Sequence, residues 1–469
     1  MRIGILTKVF TAELVDAAIA KHGRVEQRRR ILPARLVVYF VLALCLFARE
    51  SYEEVLGMLT SGIPGSQALA RVNRSSLCRA RSRLGEDVLE TPFREVTGPL
   101  ATPDTPGAWW RGLRLLALDG TQFDLPGSVS NGNTFDGPST TGGLPFGFPQ
   151  VRAVVLAEIG THGVLDARLG GYRDGERRLA YQLADSTSSG DLVIADRGFW
   201  SVEFARVFTV TGADLLVRLQ SNHSVPSRKS CPTARICRWH VRARKSGFGR
   251  AGKTEPCPAT RSTASSPSRR TTKVAFLGTT LLDPEQYPAA ELVALYRERW
   301  EIELAFDEIK SHLGPGGPIR SRTPEGVRQE LWAYLAVHHA IRRFAHTAAL
   351  SGPALDTDRV SCLKCVRIIR RSVPSQLGAN TAKLTRSLTE AGQEARSRLL
   401  PARRKRKCPR AIKKPNRWPV LRTRAKRDAV KPGRWALNQT TKAKTNRRAG
   451  RPMHRETRGL PPEAVPPAP

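Results

Sequence analysis

The pattern of apolar and polar positions predicts a helical first quarter of the chain. Thr11 is placed to cap a helix over residues 12–22, and an apolar run over 36–48 has the length of a core helix. Acidic residues near the start of 52–59 indicate a further short helix, so three or four helices with basic connections are expected. The Pro-, Thr- and Gly-rich residues 98–107 then indicate a linker.

Beyond the linker the period changes to that of strands. The predicted order is a strand over 113–118, a hairpin of 151–159 and 164–169 about Gly160–Gly163, a helix over 176–184, a strand over 192–195, a helix over 201–209 and a strand over 214–219. Three sequential strands followed by alternating helix and strand is the order of a ribonuclease H-like core. The predicted fold class is therefore α/β, with a ribonuclease H-like catalytic core behind an N-terminal helical domain.

Net charge changes this picture because it is concentrated in two segments. The chain of 469 residues has 77 Lys and Arg against 41 Asp and Glu, a formal charge of +36, as expected of a protein that meets polyanions. Residues 401–469 carry 22 basic and 3 acidic side chains and residues 221–275 carry 13 and 1, so 31 of the 36 charges lie there. The remainder has the charge balance of an ordinary folded protein.

The two basic segments also lack a periodic pattern. Within 221–272 neither a strand nor a helix period persists, which leaves two explanations open: a disordered basic loop, or a segment translated out of frame between in-frame blocks. His223 and His240 in this segment receive no role. The basic stretch from Arg403 to Arg458 predicts a disordered tail that adds salt-sensitive attraction to phosphates.

These features predict a division of the chain into five parts. They are an N-terminal helical, DNA-binding domain over 1–97, the first part of the core with both Asp motifs over 108–220, an irregular basic insertion over 221–273, the rest of the core over 274–350, and a basic C-terminal region and tail over 351–469. The arginines of the N-terminal domain could contact DNA or simply lie on solvated helix faces, and the sequence pattern supports both alternatives equally.

The sequence offers no pattern of export or membrane insertion. The longest apolar run has 13 residues, fewer than the ~20 needed to cross a bilayer, and no charged leader with a cleavage site opens the chain. The scattered cysteines suggest reduced thiols. Cys362 and Cys365 form a lone CxxC, for which neighbouring helix positions are favoured over half a zinc site.

Two aspartates stand where predicted core strands give way to glycine-containing turns. Asp119 and Asp196 each follow an apolar run, and in this strand order the two strands are neighbours. Paired carboxylates there are what Mg²⁺ needs, since it takes oxygen ligands and two such ions serve phosphodiester transfer. For either aspartate taken alone, a turn cap is the favoured interpretation.

A third carboxylate is expected on the predicted helix over 288–313. Measured at 100° per residue, Arg299, Glu303 and Lys310 all lie within about 60° of Tyr296, so one narrow stripe carries a ring, two cations and an acid. The alternative is a solvated charged face, because further acidic residues crowd the same helix: Glu298, Glu301, Asp307 and Glu308. Asp307 is the nearest rival of Glu303 as a ligand.

These residues resemble a known family. The stripe Tyr296-x2-Arg299-x3-Glu303-x6-Lys310 is similar to the YREK signature of the DDE transposases grouped with insertion sequence four. LALDGTQFDLP and VIADRGFW resemble that family's two Asp motifs, and ILTKVFTAELVDAAI resembles the helical N-terminal domain of one of its branches. The resemblance covers about residues 1–220 and 275–350.

The resemblance implies a function and a role for each matching residue. Asp119, Asp196 and Glu303 would bind two Mg²⁺ ions, with Mn²⁺ able to substitute, while Tyr296, Arg299 and Lys310 would contact DNA near the cleaved end. The implied reaction is cut-and-paste transposition, through strand hydrolysis at the ends of an insertion sequence, a hairpin intermediate and 3′-hydroxyl attack on target DNA. The implied partners are double-stranded terminal inverted repeats and target DNA. A homodimer in the DNA complex and a bacterial, cytoplasmic and nucleoid-associated location are also expected.

Two other functions stay open at this stage. Relatives carry a mainly β insertion where this chain has residues 221–272, and loss of that insertion would leave a catalytically impaired remnant that only binds DNA. A two-metal structure-specific nuclease would share the core but would not require Tyr296, Arg299 and Lys310.

Overall fold

The computed structural model describes residues 3–61, 66–140, 147–219, 229–231, 234–238, 275–353, 355–375 and 380–401. One compact unit comprises residues 1–137 and 149–411, and a second comprises 138–148 and 412–469, of which 138–140 and 147–148 are described. Within the described part of the chain, no helix combines the length and apolar character that a membrane span requires. His223, His240 and the stretch from Arg403 to Arg458 lie outside the described residues.

The N-terminal block is helical, as predicted. Its α-helices are α1 (Ala12–Lys21), α2 (Ala34–Leu46), α3 (Tyr52–Thr60), α4 (Arg74–Leu84) and α5 (Asp87–Val96), with 3₁₀ turns at Gly4–Lys8 and Ser66–Arg71. The side chain of Thr11 caps α1 by accepting a hydrogen bond from the Leu14 N–H. Helix α2 buries every residue except Arg35, which confirms a core helix.

The described residues of the core form one sheet of nine strands. They are β1 (Trp109–Trp110), β2 (Leu113–Asp124), β3 (Gln150–Glu158), β4 (Val164–Gly171), β5 (Asp191–Ala195), β6 (Asp214–Leu219), β7 (Lys229–Cys231), β8 (Ala234–Arg238) and β9 (Ala275–Thr279). Three helices lie between them in the chain: α6 (Val129–Phe135), α7 (Glu176–Tyr181) and α8 (Val202–Val210).

The topology of the sheet confirms the ribonuclease H-like core. The strand order is β4-β3-β2-β5-β6-β9-β8-β7, with β1 paired to β2. Strand β3 runs antiparallel to β2 and β4, whereas β5 runs parallel to β2 and β6 parallel to β5. An antiparallel three-strand meander followed by two parallel strands joined through helices is the arrangement that the order of predicted elements implied.

Strands β7 and β8 correct the expectation that residues 221–272 lack strand character. Strand β8 pairs in parallel with β9, and β7 pairs antiparallel with β8, so both extend the sheet. The expectation is wrong at these two strands because arginines interrupt the short apolar alternation, and the partner β9 lies far along the chain. The remaining residues of the segment lie outside the described part of the structure.

The two faces of β2 enter different cores. Leu116 and Leu118 pack with α7 and α8, whereas Leu115 and Ala117 pack into a larger core shared with the N-terminal helices. Because side chains alternate along a strand, Asp119 lies on the face toward the larger core. That face is also covered by the C-terminal helices.

The C-terminal part is helical and not uniform. The predicted helix over 288–313 consists of α9 (Ala289–Leu295), a 3₁₀ segment (Tyr296–Trp300), α10 (Glu301–Asp307) and a π-helical segment (Glu308–Leu313). We call this whole stretch the Glu helix. It is followed by α11 (Pro324–Leu350), a 3₁₀ turn (Thr357–Arg359), α12 (Cys362–Ser375) and α13 (Thr381–Arg396).

One arginine of the N-terminal block is an internal contact. Arg81 on α4 is 5% exposed and donates hydrogen bonds to Tyr52 Oη at 2.7 Å and Gln329 Oε1 at 3.1 Å. It also donates to the Ser321 hydroxyl and the Gly326 carbonyl at the start of α11. Arg81 therefore belongs neither to a solvated face nor to a DNA-binding surface. It joins the N-terminal helices to α11.

We expect Arg81→Ala to lower the free energy of unfolding by about 2–4 kcal/mol, because four polar partners lose their buried donor. Urea denaturation followed by circular dichroism measures the change. Arg79→Ala on the exposed side of the same helix is the matched control and should cost less than about 0.5 kcal/mol. Equal losses in the two variants would contradict the structural role of Arg81.

Candidate active site

Strand register places the two aspartates side by side. The last parallel pair between β2 and β5 is Leu118 with Ala195, so the next residues along each strand are Asp119 and Asp196. Asp196 directly follows β5, as predicted. Asp119 does not end its strand: β2 continues to Asp124 because β3 pairs with it along that whole length.

The Glu helix brings a third carboxylate to the same place. Arg299 Nη1 donates to Asp119 Oδ2 at 2.6 Å, and Arg299 Nη2 donates to Glu303 Oε1 at 3.2 Å. Tyr296 Oη donates to Asp196 Oδ1 at 3.3 Å. The structure thus gathers five of the six residues that the sequence singles out around one guanidinium and one phenol. We call Asp119, Asp196 and Glu303 the three-acid cluster.

The sixth residue, Lys310, lies apart from the acids. Its Nζ is 5.1 Å from the centre of the Phe123 ring, four residues beyond Asp119 on the same face of β2. Together with Asp124, these side chains line a cavity of about 270 Å³. Lys310 belongs to the π-helical segment, where the turn per residue departs from the 100° on which the single-stripe prediction rests.

The three-acid cluster is electrostatically strained. Burial, together with the charges of Glu303 and Asp196, raises the pKa of Asp119 to about 6 against the opposing effects of Arg299 and the Gly120 N–H. Burial lowers the pKa of Arg299, but Asp119, Tyr296, Asp196 and Glu303 together outweigh it and leave the pKa raised. Three carboxylates beside a single guanidinium form an oxygen-donor set with surplus negative charge. That donor set fits hard divalent cations.

The other acidic residues of the Glu helix have different surroundings. Asp307 is exposed and accepts a hydrogen bond from the Ser311 hydroxyl at 2.6 Å. Glu301 and Glu308 are buried and contact His162 in the turn between β3 and β4. The alternative of a uniformly solvated acidic face is therefore wrong for Glu301 and Glu308. No short-range pattern shows this, because His162 lies about 140 residues upstream in the chain.

Comparisons with known families match most of the chain in two adjoining blocks. Residues 1–94 match the insertion element 4 transposase N-terminal family, and residues 110–338 match the transposase DDE domain family. The second block contains the three-acid cluster, Tyr296, Arg299 and Lys310.

Two individual proteins are similar to this chain, one over most of its length and one over less than half. The chain is 29% identical over 424 residues to the transposase InsG for insertion sequence element IS4 of Escherichia coli K12, covering 87% of this chain and 91% of that protein. It is 26% identical over 202 residues to the putative transposase InsZ of the same organism, covering 43% of this chain and 66% of that protein. A cryo-EM structure of the piggyBac transposase synaptic complex with hairpin DNA aligns with a TM-score of 0.40 and 14% identity, over 82% of this chain and 84% of that chain.

Both family matches fall in the order that the fold shows, with the helical block before the core. The chain therefore belongs to the DDE transposases of the insertion element 4 family.

Proposed function

We propose that this transposase moves an insertion sequence by a cut-and-paste route. Strand hydrolysis at the ends of the element would free 3′-hydroxyl groups, which then attack target DNA. The observation that carries the proposal is that Arg299 binds both Asp119 and Glu303, while strand register places Asp196, held by Tyr296, beside Asp119. These residues come from two strands and a helix, and a cluster of like charges of this kind costs stability. Such clusters are concentrated at functional sites.

The three-acid cluster would hold two Mg²⁺ ions, for which Mn²⁺ could substitute. When bound, such ions activate the attacking oxygen and stabilise the leaving oxygen of a phosphodiester. Supporting this assignment, every donor in the cluster is a carboxylate oxygen, and burial with the charges of Glu303 and Asp196 raises the pKa of Asp119.

The neighbouring side chains are assigned to the DNA. Arg299 holds Asp119 and Glu303 through separate nitrogens, and its planar fork also matches the oxygens of a phosphate. Tyr296 fixes Asp196 through its hydroxyl. Lys310, stacked over Phe123, would take a phosphate farther along the strand. Together they would position the cleaved end across the acids.

The N-terminal helical domain over residues 1–97 would bind the double-stranded terminal inverted repeats. Exposed arginines line a cleft of about 500 Å³ beside α4: Arg24, Arg28, Arg30 and Arg83. Such a cleft attracts the phosphate backbone independently of base sequence. Because two ends must be joined, we further propose that a homodimer acts in the DNA complex.

Each carboxylate of the three-acid cluster should be needed for cleavage. We expect Asp119→Asn, Asp196→Asn and Glu303→Gln each to reduce Mg²⁺-dependent cleavage of a terminal-repeat duplex by at least about 10³-fold, because each removes a metal ligand. Cleavage on denaturing gels and binding in gel shifts should be measured on the same DNA. Binding should stay within a few-fold of the unsubstituted protein.

Asp307→Asn is the matched control, since it removes an exposed carboxylate from the same helix. It should leave cleavage unchanged. Loss of cleavage in Asp307→Asn with activity kept in Glu303→Gln would reassign the third ligand. End binding without any cleavage by the unsubstituted chain would instead support a DNA-binding remnant.

The pKa of Asp119 is raised to about 6 in the folded chain from an ordinary value of 3.8, so the stability of the fold should depend on pH. The folded state then binds more protons than the unfolded state between these values, so ionisation of Asp119 destabilises the fold as pH rises through that window. In EDTA at pH 7, Asp119→Asn should be more stable by about 2–3 kcal/mol, and the difference should vanish near pH 4.

Urea titrations at a series of pH values measure this difference. Mg²⁺ should raise the melting temperature of the unsubstituted protein and have little effect on Asp119→Asn. A pH-independent stability difference would show that Asp119 is not strained in the fold.

A further inference from the structure

A second group of ionisable side chains lies on another side of the Glu helix, with all members buried except the half-buried Asp358. It consists of His162 from the β3–β4 turn, Glu301 and Glu308 from the Glu helix, Arg342 from α11 and Asp358 from the 3₁₀ turn at Thr357–Arg359. His162 is 2% exposed and Arg342 is 1% exposed. We call these five residues the buried His–Glu cluster. It contains none of the residues of the three-acid cluster.

The turn that carries His162 is shaped to point inward. His162 has a φ of 57°, a backbone conformation that residues other than glycine rarely adopt. A Cβ at Gly160 would lie 2.5 Å from the Ala108 nitrogen, so the turn packs directly against the preceding segment. Strained backbone of this kind persists where surrounding contacts demand it, and here it delivers an imidazole into a core.

Three donor atoms converge in the cluster. His162 Nε2 lies 2.9 Å from Glu301 Oε2 and 3.6 Å from Asp358 Oδ1, and the three residues offer ligand atoms within 4.8 Å of one another. A tetrahedral ion with ligand distances of about 2.0–2.1 Å separates its ligand atoms by about 3.3 Å. The two separations that involve His162 lie on either side of that value.

The other ring nitrogen of His162 contacts a carboxylate, as the second ring nitrogen of a metal-bound histidine commonly does. Nδ1 lies 3.3 Å from Glu308 Oε1, which also accepts from Arg342 Nη1 at 3.3 Å. The second oxygen of Glu308 pairs with His338 Nε2 at 2.8 Å. A carboxylate behind Nδ1 fixes the orientation of the ring. Nε2 faces Glu301 and Asp358, and its lone pair would bind an ion there once its proton is released.

The charges of the cluster favour a divalent cation. Among the described residues there, the carboxylates of Glu301, Glu308 and Asp358 surround one guanidinium, that of Arg342. Three negative charges against one positive charge leave these four side chains with a net charge of −2, which one divalent ion cancels.

We propose that His162, Glu301 and Asp358 form a site for one Zn²⁺ ion, separate from the three-acid cluster. Zn²⁺ suits this donor set better than Mg²⁺, because one ligand is an imidazole and the donor atoms are spaced about as they are around a tetrahedral ion. The ion ties the Glu helix to the β3–β4 turn and to the segment before α12. Because Glu301 precedes Glu303 by two residues, the site also fixes the part of the helix that presents Glu303.

The test uses the full chain with Asp119→Asn, Asp196→Asn and Glu303→Gln combined, so that the three-acid cluster no longer binds metal. After exposure to Zn²⁺ and removal of excess by gel filtration, metal analysis should find about one Zn²⁺ per chain. Adding Asp358→Asn should lower retained Zn²⁺ at least about tenfold, whereas adding Asp307→Asn should not. Circular dichroism in EDTA checks that each variant is folded.

X-ray absorption of the Zn²⁺-loaded triple variant keeps the proposal testable even if Asp358→Asn fails to fold. The spectrum should show one imidazole nitrogen with oxygen ligands. Sulfur ligands would overturn the proposal, since they would place the ion on cysteines. Absence of retained Zn²⁺ in the folded triple variant would overturn it equally, as would unchanged retention in a folded Asp358→Asn variant.

Discussion

Gathering three carboxylates in a partly buried pocket is the constraint on which this structure depends. Each charge raises the cost of ionising the others, and the cost grows as water is excluded. Arg299 relieves part of it by binding Asp119 and Glu303 with different nitrogens. The relief is incomplete, as the raised pKa of Asp119 shows. The core meets this constraint because the parallel β2–β5 pair sets Asp119 beside Asp196, and the Glu helix brings Arg299, Tyr296 and Glu303 to them.

The Glu helix is held from more than one side. On one side, its Arg299 binds Asp119 of strand β2. On the other, Glu301 and Glu308 are held by His162 and Arg342 in the interior. Arg342 lies on α11, the 27-residue helix whose start is bound by Arg81 of the N-terminal block. The position of Glu303 is thus linked through packed and hydrogen-bonded groups to the helices that we assign to DNA binding.

Local pattern was enough to predict most elements, but not the contacts made across the sheet and helices. The cap at Thr11, the β3–β4 hairpin and the order of strands through Leu219 depend on neighbouring residues, and the structure confirms them. The continuation of β2 past Asp119 depends on pairing with β3, which no local period reveals.

The same limit applies to the site. The stripe of Tyr296, Arg299 and Glu303 has helical spacing, so the sequence predicts it. Lys310 lies in a π-helical segment, and a helical wheel at a constant 100° per residue assigns it the wrong direction. Burial of Glu301 and Glu308 was not predictable, because it is decided by a histidine and an arginine from distant segments.

The central claim is that Asp119, Asp196 and Glu303 bind divalent cations next to the cleaved end of DNA. Anomalous diffraction from crystals of the protein with a terminal-repeat duplex and Mn²⁺ tests it most directly. The account predicts two Mn²⁺ peaks among these three carboxylates, beside a phosphate of the bound strand. Peaks elsewhere with these acids unliganded, or acids that remain bound to Arg299 in the presence of DNA and Mn²⁺, would contradict it.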